Sequence, residues 1–213
     1  QLSATSRSWQ SIVGGLRFVI SNSIVLGAIA LDLFIVMLGS VMVLLPIFAS
    51  DILKVGPEEL GVLRAMPAFG AVAVGVLLAK SGEMRQCGHK LFVSLFVFAA
   101  SIILFGVSAN FWLSVFALFV YGAADMVSVN IRLSLIQIAT PDNLRGRVSA
   151  VNGIFISSSN EMGDVRSGAL TALIGPVATA VVGGIIAVSV AVGGGLFFSK
   201  LRRLDKINDA ASR

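Results

Sequence analysis

Six long runs of apolar residues, separated by short polar stretches, dominate this sequence. Each run has roughly the 20 residues that a helix needs to cross the hydrocarbon core of a bilayer. Apolar and polar positions do not alternate within the runs, as they would in the strands of a membrane barrel. We therefore predict an all-α membrane protein with six transmembrane helices, at residues 24–48, 60–79, 91–109, 111–139, 148–174 and 177–198.

The composition favours a chain embedded in the membrane over a soluble domain. Of the 213 residues, 56% are hydrophobic and only 13% are charged, whereas soluble domains average about 25% charged residues. The single cysteine, Cys87, excludes an intramolecular disulfide framework and a cysteine-rich zinc site. The only histidine, His89, has no second ligand cluster beside it. We expect neither a metal nor a cofactor.

The chain divides into three parts. A six-helix transmembrane domain occupies residues 24–199, and a basic cytoplasmic tail occupies residues 200–213. Residues 1–23 form a predicted amphipathic segment, which either lies on the cytoplasmic surface of the bilayer or is a linker helix packed on protein. Its apolar residues recur with helical spacing at Trp9, Ile12, Val13, Leu16, Val19 and Ile20.

Basic residues gather at one set of helix ends. Six crossings place both termini on the same side of the membrane, and cytoplasmic loops carry the excess of lysine and arginine. Only Lys54 falls opposite the termini, so both termini are predicted to be cytoplasmic. The net charge of +5 does not indicate nucleic acid as a partner, because the basic residues do not form one soluble face. Those on the side of the termini are Arg7, Arg17, Lys80, Arg85, Lys90, Arg145, Arg147, Lys200, Arg202, Arg203, Lys206 and Arg213.

Charged residues inside the spans repeat in a pattern. The first two helices carry a charge and the third carries none, and the fourth, fifth and sixth helices follow the same order. Two three-helix repeats of inverted topology are a common plan of transporters. We therefore predict two inverted repeats. The charges that define the pattern are Asp32 in the first helix, Arg64 in the second, Asp125 and Arg132 in the fourth, and Glu161, Asp164 and Arg166 in the fifth.

These charges are the candidate functional residues. A charge at the bilayer centre costs about 2.5–3.5 kcal/mol on insertion scales, so it normally faces a bundle interior or a wet cavity. Depth along the helices permits pairs of Asp32 with Arg132 and of Arg64 with Asp164 or Glu161. Static ion pairs that orient the helices are the alternative. The candidates for proton coupling or substrate binding are Asp32, Asp125, Glu161 and Asp164, and their charge partners are Arg64, Arg132 and Arg166.

Two predicted spans contain residues that interrupt helices. Met66 and Pro67 interrupt the second span. The fifth span is softened by Asn152 with Gly153 and by the run Ser157, Ser158, Ser159 and Asn160. Such breaks survive where neighbours or cavity water satisfy the freed backbone groups. They suit helices that line a cavity, and local packing kinks are the alternative.

Three stretches of the sequence carry a family resemblance. Residues 140–152 read TPDNLRGRVSAVN, residues 15–19 read GLRFV ahead of LDLF at 31–34, and residues 61–68 read GVLRAMPA. Together they resemble the carboxyl-terminal half of major facilitator superfamily transporters. The bacterial branch of multidrug and enterobactin exporters is the most similar, and the resemblance covers about residues 15–205. It implies half of a twelve-helix fold in the bacterial inner membrane, with a second six-helix half as its partner.

The resemblance also implies a function. The first, second, fourth and fifth helices would line a cavity. The protein would export a small amphipathic molecule, such as a drug or siderophore, in exchange for protons by alternating access. The family carries a gate loop after the second helix of each half. Here Gly75 and Gly82 match it, while Ala79 replaces its aspartate and residues 83 and 84 replace its arginines. Asp142, Arg145 and Arg147 are the alternative source of charges for a cytoplasmic gate.

Two other functions compete with export. A six-helix module that transports nothing and binds a partner remains open, because half of a bundle exposes an inner face. An intramembrane aspartyl protease would use Asp32 and Asp125, but residues 122–125 read GAAD rather than the expected Gly-x-Gly-Asp. The sequence contains no nucleotide-binding loop and no serine nucleophile elbow. We therefore predict a transporter and not an enzyme.

Overall fold

The computed structural model describes residues 13–81, 86–202 and 204, and its regular structure in those ranges is helical. A short 3₁₀ turn (Met42–Leu44) and a π-helical turn (Phe48–Ile52) flank the third helix. The α-helices are α1 (residues 13–21), α2 (Ser23–Gly39), α3 (Leu45–Ile47), α4 (Pro57–Lys80), α5 (Cys87–Val107), α6 (Phe111–Ala139), α7 (Asp142–Ile174), α8 (Pro176–Phe197) and α9 (Ser199–Arg202).

Five segments are long and apolar enough to cross a membrane. They are Ser23–Ile52, Pro57–Lys80, Cys87–Val107, Phe111–Ala139 and Pro176–Phe197. The predicted fifth span is α7, which is helical over 33 residues but is not among these five. The reason lies in its composition, since Asp142, Arg145 and Arg147 precede Glu161, Asp164 and Arg166 on the same helix.

The first predicted span is interrupted where the sequence analysis expected a continuous helix. Helix α2 ends at Gly39, and Ser40 and Val41 lie outside any helix before the chain turns again through Met42–Leu44. Pro46 lies beyond the interruption, in the first turn of α3, where its missing N–H removes no hydrogen bond within the helix.

The two interruptions that the sequence predicted are absent. Helix α4 runs unbroken through Pro67, and α7 runs unbroken through Asn152 and Gly153. A neighbouring helix can hold a membrane helix together at a proline. Here Gly122 of α6 lies against the backbone of Pro67, so closely that a side chain at 122 would overlap it.

The helices pack in a definite order around one apolar core. Helix α4 lies on α6, α5 lies on α6 and α8, and α2 lies on α7, α8 and α6. Phe48 and Phe105 stack inside this core with ring centroids 4.5 Å apart. The sequence-adjacent helices α4 and α5 therefore share α6 as their common support.

Helix α1 packs on protein along one side. Its Val19 is buried in a small apolar cluster with Val148 and Val151 of α7, while Val13 and Ile20 are exposed. The placement of this segment on the bilayer surface stays a prediction, as does the linker-helix alternative. Trp9 and Ile12 of the predicted amphipathic face, and residues 205–213 of the predicted basic tail, lie outside the described residues.

Candidate functional site

A buried ion pair joins α2 to α6. Arg132 Nη1 contacts Asp32 Oδ1, and the two residues are only 2% and 7% exposed. Depth along the two helices predicted this contact, and the structure forms it. Since removal of one partner of a buried pair leaves an unpaired charge, the pair ties the position of α2 to that of α6.

Helix α7 satisfies the polar groups that the interruption of α2 leaves open. The Ser40 hydroxyl donates to Asp164 Oδ1, and the Ser167 hydroxyl donates to the Ser40 carbonyl oxygen at 2.8 Å. Arg166 Nη2 in turn donates to Ser167 Oγ at 3.0 Å. Backbone groups released by a helix break need such partners in a bilayer. The break in α2 and the polar residues of α7 therefore form one unit.

Glycines let three helices meet at this break. A Cβ atom added to Gly163 of α7 would lie 3.1 Å from the Met37 carbonyl oxygen and 3.0 Å from Ser40 Cβ. A Cβ atom added to Gly183 of α8 would lie 2.9 Å from the Leu38 carbonyl oxygen. Larger residues would separate α7 and α8 from the end of α2.

Helix α6 contributes two further polar side chains. Tyr121 lies within electrostatic reach of both Asp125 and Asp164, and its ring packs on Phe98 with centroids 4.3 Å apart. Asp125 is partly buried, one turn along α6 from Tyr121. We refer to Ser40, Tyr121, Asp125, Asp164 and Ser167 as the polar cluster.

Arg64 and Glu161 lie on the surface of the chain. Both are exposed, and in the described part of the chain Arg64 forms no ion pair with Asp164 or Glu161. The prediction of that pair is wrong, because Asp164 turns toward Ser40 and α4 packs on α6 while α7 packs on α2 and α8. Depth alone could not distinguish these neighbours.

Helix α7 exposes a polar strip in its middle. Ser157, Ser158, Asn160 and Glu161 are all exposed. Residues spaced by three or four positions share a helix face, so Ser157, Glu161 and the partly buried Asp164 follow one line along the helix. We call these five residues the polar strip of α7. It lies at the depth of the predicted span centre.

The candidate gate residues are mostly at the surface. Arg145 Nη2 lies 2.7 Å from Asp142 Oδ1, and Arg145 Nε donates to the Gln137 carbonyl oxygen at 3.0 Å. These contacts join the end of α6 to the start of α7. The backbone of Arg147 packs on Gly15, where a Cβ atom would lie 2.9 Å from the Arg147 carbonyl oxygen.

The structure describes one of the two glycines of the candidate gate. Gly75 is partly buried on α4, and a Cβ atom added there would lie 3.2 Å from Met126 Cε of α6. Gly82 lies outside the described residues. The structure therefore places Gly75 at a helix contact and leaves the loop role of the pair as a prediction.

Ser40, Tyr121 and Ser167 were not predicted from the sequence. One signal was available for Ser167, which is one residue beyond Arg166 and three beyond Asp164. Tyr121, the only tyrosine in the chain, lies four positions before Asp125 and therefore on the same face of α6. Within an apolar run, a neutral polar side chain gives no sequence signal of a role until the residue that it contacts is known.

Comparisons with known proteins identify the family of this chain. The chain is 28% identical over 174 residues to the enterobactin exporter EntS of Shigella boydii serotype 18, and 27% identical over 174 residues to that of Escherichia coli O81. Both matches cover 80% of this chain but only 41% of the relative. No solved structure matches the chain. The model of a family described as "transmembrane secretion effector" matches residues 4–213, and the chain therefore belongs to this transporter family of the major facilitator superfamily.

Proposed function

We propose that this chain is the carboxyl-terminal six-helix half of a secondary active exporter, which moves a small amphipathic molecule in exchange for protons by alternating access. The observation that carries the proposal is the polar strip of α7, exposed at the depth of the bilayer centre. Exposure of a carboxylate such as Glu161 to lipid at that depth is unfavourable by several kcal/mol. The strip is stable only beside water or protein.

A water-filled route explains why α7 is too polar to be counted among the apolar spans. A helix that borders an aqueous cavity on one side needs apolar residues only on its other side. Helix α7 has such a second side, where Val148 and Val151 are buried. We therefore count α7 as the sixth crossing, which also places both termini on the same side of the membrane.

The helix contacts support the two inverted repeats. The first triplet is α2, α4 and α5, and the second is α6, α7 and α8. Exchange of the triplets replaces α2 by α6, α4 by α7 and α5 by α8, and the reverse. The α4–α6 contact then becomes the α7–α2 contact, and the α5–α6 contact becomes the α8–α2 contact. All four contacts occur. The α5–α8 and α2–α6 contacts map onto themselves. These contacts correspond as in a twofold-related pair of repeats, whereas among the described residues the α7–α8 contact has no α4–α5 counterpart of similar extent.

The polar cluster is suited to carrying the coupling proton. Asp125 and Asp164 both lie near Tyr121, and Asp164 also accepts a hydrogen bond from Ser40 at the break in α2. Protonation of Asp164 would remove the charge that this hydroxyl stabilises. A proton at this site would thereby favour one arrangement of the interrupted helix over the other, which is the differential interaction that coupling requires.

The remaining charges have distinct proposed roles. Arg132 holds Asp32 in a buried pair and sets the register of α2 against α6. Arg64 and Glu161, both exposed, border the cavity and contact the cargo. Arg166 acts through Ser167. Asp142, Arg145 and Arg147 form the cytoplasmic gate with Gly75, on the side where basic residues accumulate.

The relatives suggest the class of cargo and the missing half. Two of them are named as exporters of enterobactin, a siderophore, so siderophore-like amphipathic molecules are the first cargo to test. This chain spans about two fifths of those relatives. The rest of such a protein supplies a second six-helix half, which closes the cavity over the polar strip.

Substrate-dependent proton flux tests the proposal. The full-length protein is reconstituted in vesicles with enterobactin or a panel of drugs, and internal pH is followed while cargo is added. The Asp125→Asn variant should lower coupled flux by about tenfold or more, equivalent to ~1.4 kcal/mol of barrier, while membrane insertion stays normal. Asp51→Asn, an exposed change outside the cluster, is the control.

Two outcomes contradict the proposal in different ways. Wild-type protein that shows no flux with any cargo would favour the module that binds a partner without transport. Flux that is unchanged in Asp125→Asn would remove Asp125 from the coupling mechanism and leave Asp164 as the carrier to test.

A further inference from the structure

A groove opens between α4 and α5. These consecutive helices pack on α6, so α6 forms the floor of a lateral gap between them. The groove encloses about 730 Å³, within the roughly 300–1,000 Å³ of ligand-binding pockets. Helices α2 and α7 contribute no lining residue. The groove is therefore separate from the ion pair between α2 and α6 and from the polar strip of α7.

The groove is polar at one end and apolar along the rest of its length. Its apolar walls include Val74 of α4, Val93 and Val97 of α5, and Val120 of α6. From His89 at the polar end to Val97 is eight residues, or about 12 Å along α5. A ligand that fits this shape has a polar head near the membrane surface and an apolar tail parallel to the helices.

The polar end favours a negative charge. Lys90 and His89 line it, both are exposed, and Ser81 adds a hydroxyl group. Helix α5 begins at this end, so its dipole adds positive potential there. Among the described residues that line the groove, none is an aspartate or glutamate. A phosphate near Lys90 gains a charge-assisted interaction. A zwitterionic head also carries a phosphate, but its cationic group would be repelled by the positive potential at this end.

We propose that this groove binds an anionic phospholipid, with its phosphate beside Lys90 and one acyl chain along Val93 and Val97. Both parts of the ligand follow from the lining, because the basic end selects the head and the valine walls accept the tail. The site requires only that the helices lie in a bilayer. It does not depend on the identity of the exported cargo.

Lipid binding to the full-length protein in neutral detergent tests the head-group contact. Phosphatidylglycerol and phosphatidylcholine with identical acyl chains are titrated separately and detected by native mass spectrometry. Wild-type protein should prefer phosphatidylglycerol by about tenfold. Lys90→Ala should reduce this preference to about one, and Lys90→Arg should retain it. Lys54→Ala removes an exposed lysine outside the groove and should change nothing.

A second pair of variants tests the apolar wall. Val97→Trp fills the groove and should weaken binding of both lipids, whereas Val107→Trp, at an exposed position on the same helix outside the groove, should not. Helical content and a monodisperse elution profile confirm that each variant is folded. The head-group contact and the apolar wall are tested by separate variants. A variant that fails to fold in one test therefore does not prevent the other test.

Several results would overturn the proposal. Equal affinity of the wild-type protein for the two lipids would contradict the proposed preference for an anionic head group. Equal loss in Lys90→Ala and Lys54→Ala would show a diffuse charge effect. Competition by glycerophosphoglycerol, which has no acyl chains, at the same concentration as the lipid would indicate a simple phosphate site. Displacement of the lipid by enterobactin would assign the groove to cargo.

Discussion

Two helix contacts in this protein are stabilised by different means. Helices α5 and α8 meet through small and apolar residues: a Cβ atom added to Gly184 of α8 would lie 2.5 Å from Ile103 Cγ1, and one added to Gly106 of α5 would lie 2.8 Å from Ala180 Cβ. Helix α2 instead contacts α6 and α7 through the Asp32–Arg132 pair and the bonds around Ser40.

The two kinds of contact differ in what makes the helices associate and in whether a change of charge alters their strength. Lipid chains are as apolar as leucine, so an apolar helix face gains little from association unless small residues permit close packing. Such packing holds helices together but does not respond to a proton or an ion. Polar contacts bind one particular partner, and their strength changes with charge. The chain combines a contact of the first kind between α5 and α8 with contacts of the second kind around α2.

The largest expected effect comes from separating the charges of the buried pair. Asp32→Asn leaves Arg132 buried without its counter-charge and should destabilise the protein by about 3–5 kcal/mol. The measurement is thermal unfolding in detergent, followed by size-exclusion chromatography. Asp51→Asn, an exposed substitution, should leave the unfolding temperature unchanged.

The double variant Asp32→Leu with Arg132→Leu sharpens this prediction. Replacement of both charges by apolar residues should restore most of the stability, since a fully apolar contact avoids burial of charge. A double variant as unstable as Asp32→Asn would mean that shape rather than charge decides this contact.

An intermediate effect is expected from overpacking of the apolar contact. Gly184→Leu forces α8 away from Ile103, and we expect a loss of about 1–3 kcal/mol. Gly193→Leu is the matched control on the same helix, because no atom lies within 4 Å of a Cβ atom added there. Thermal unfolding of the two variants, measured side by side in detergent micelles, gives their difference in stability. Equal stabilities would show that α5 and α8 do not need close approach.

The smallest effect is expected at the break in α2. Ser40→Ala removes the donor to Asp164 but keeps the Ser40 carbonyl as the acceptor for Ser167, so the loss should be about 0.6 kcal/mol, the average for polar contacts between membrane helices. Ser189→Ala on α8, whose hydroxyl donates to the Ile185 carbonyl oxygen of its own helix at 2.9 Å, is the control. A loss above that of Asp32→Asn would reverse the order of the two polar contacts.

The sequence by itself determined the membrane character, the helical class and the depth of each charge. Depth follows from position along an apolar run, because the rise per residue of a helix is fixed. That information was sufficient for the Asp32–Arg132 contact, which joins residues at similar depth on helices that do pack together. It was insufficient for Arg64, which lies at a suitable depth but on a helix that packs elsewhere.

Only the tertiary structure decided which residues meet at one depth. The rotation of each helix and its choice of neighbours depend on close packing at glycines such as Gly122 and Gly163, and hydropathy contains neither quantity. The same limit explains the break at Ser40. A chain can leave the helix in a bilayer only where other groups bond to the freed backbone. Here Asp164 and Ser167 contact Ser40, and both lie more than a hundred residues away from it in the sequence.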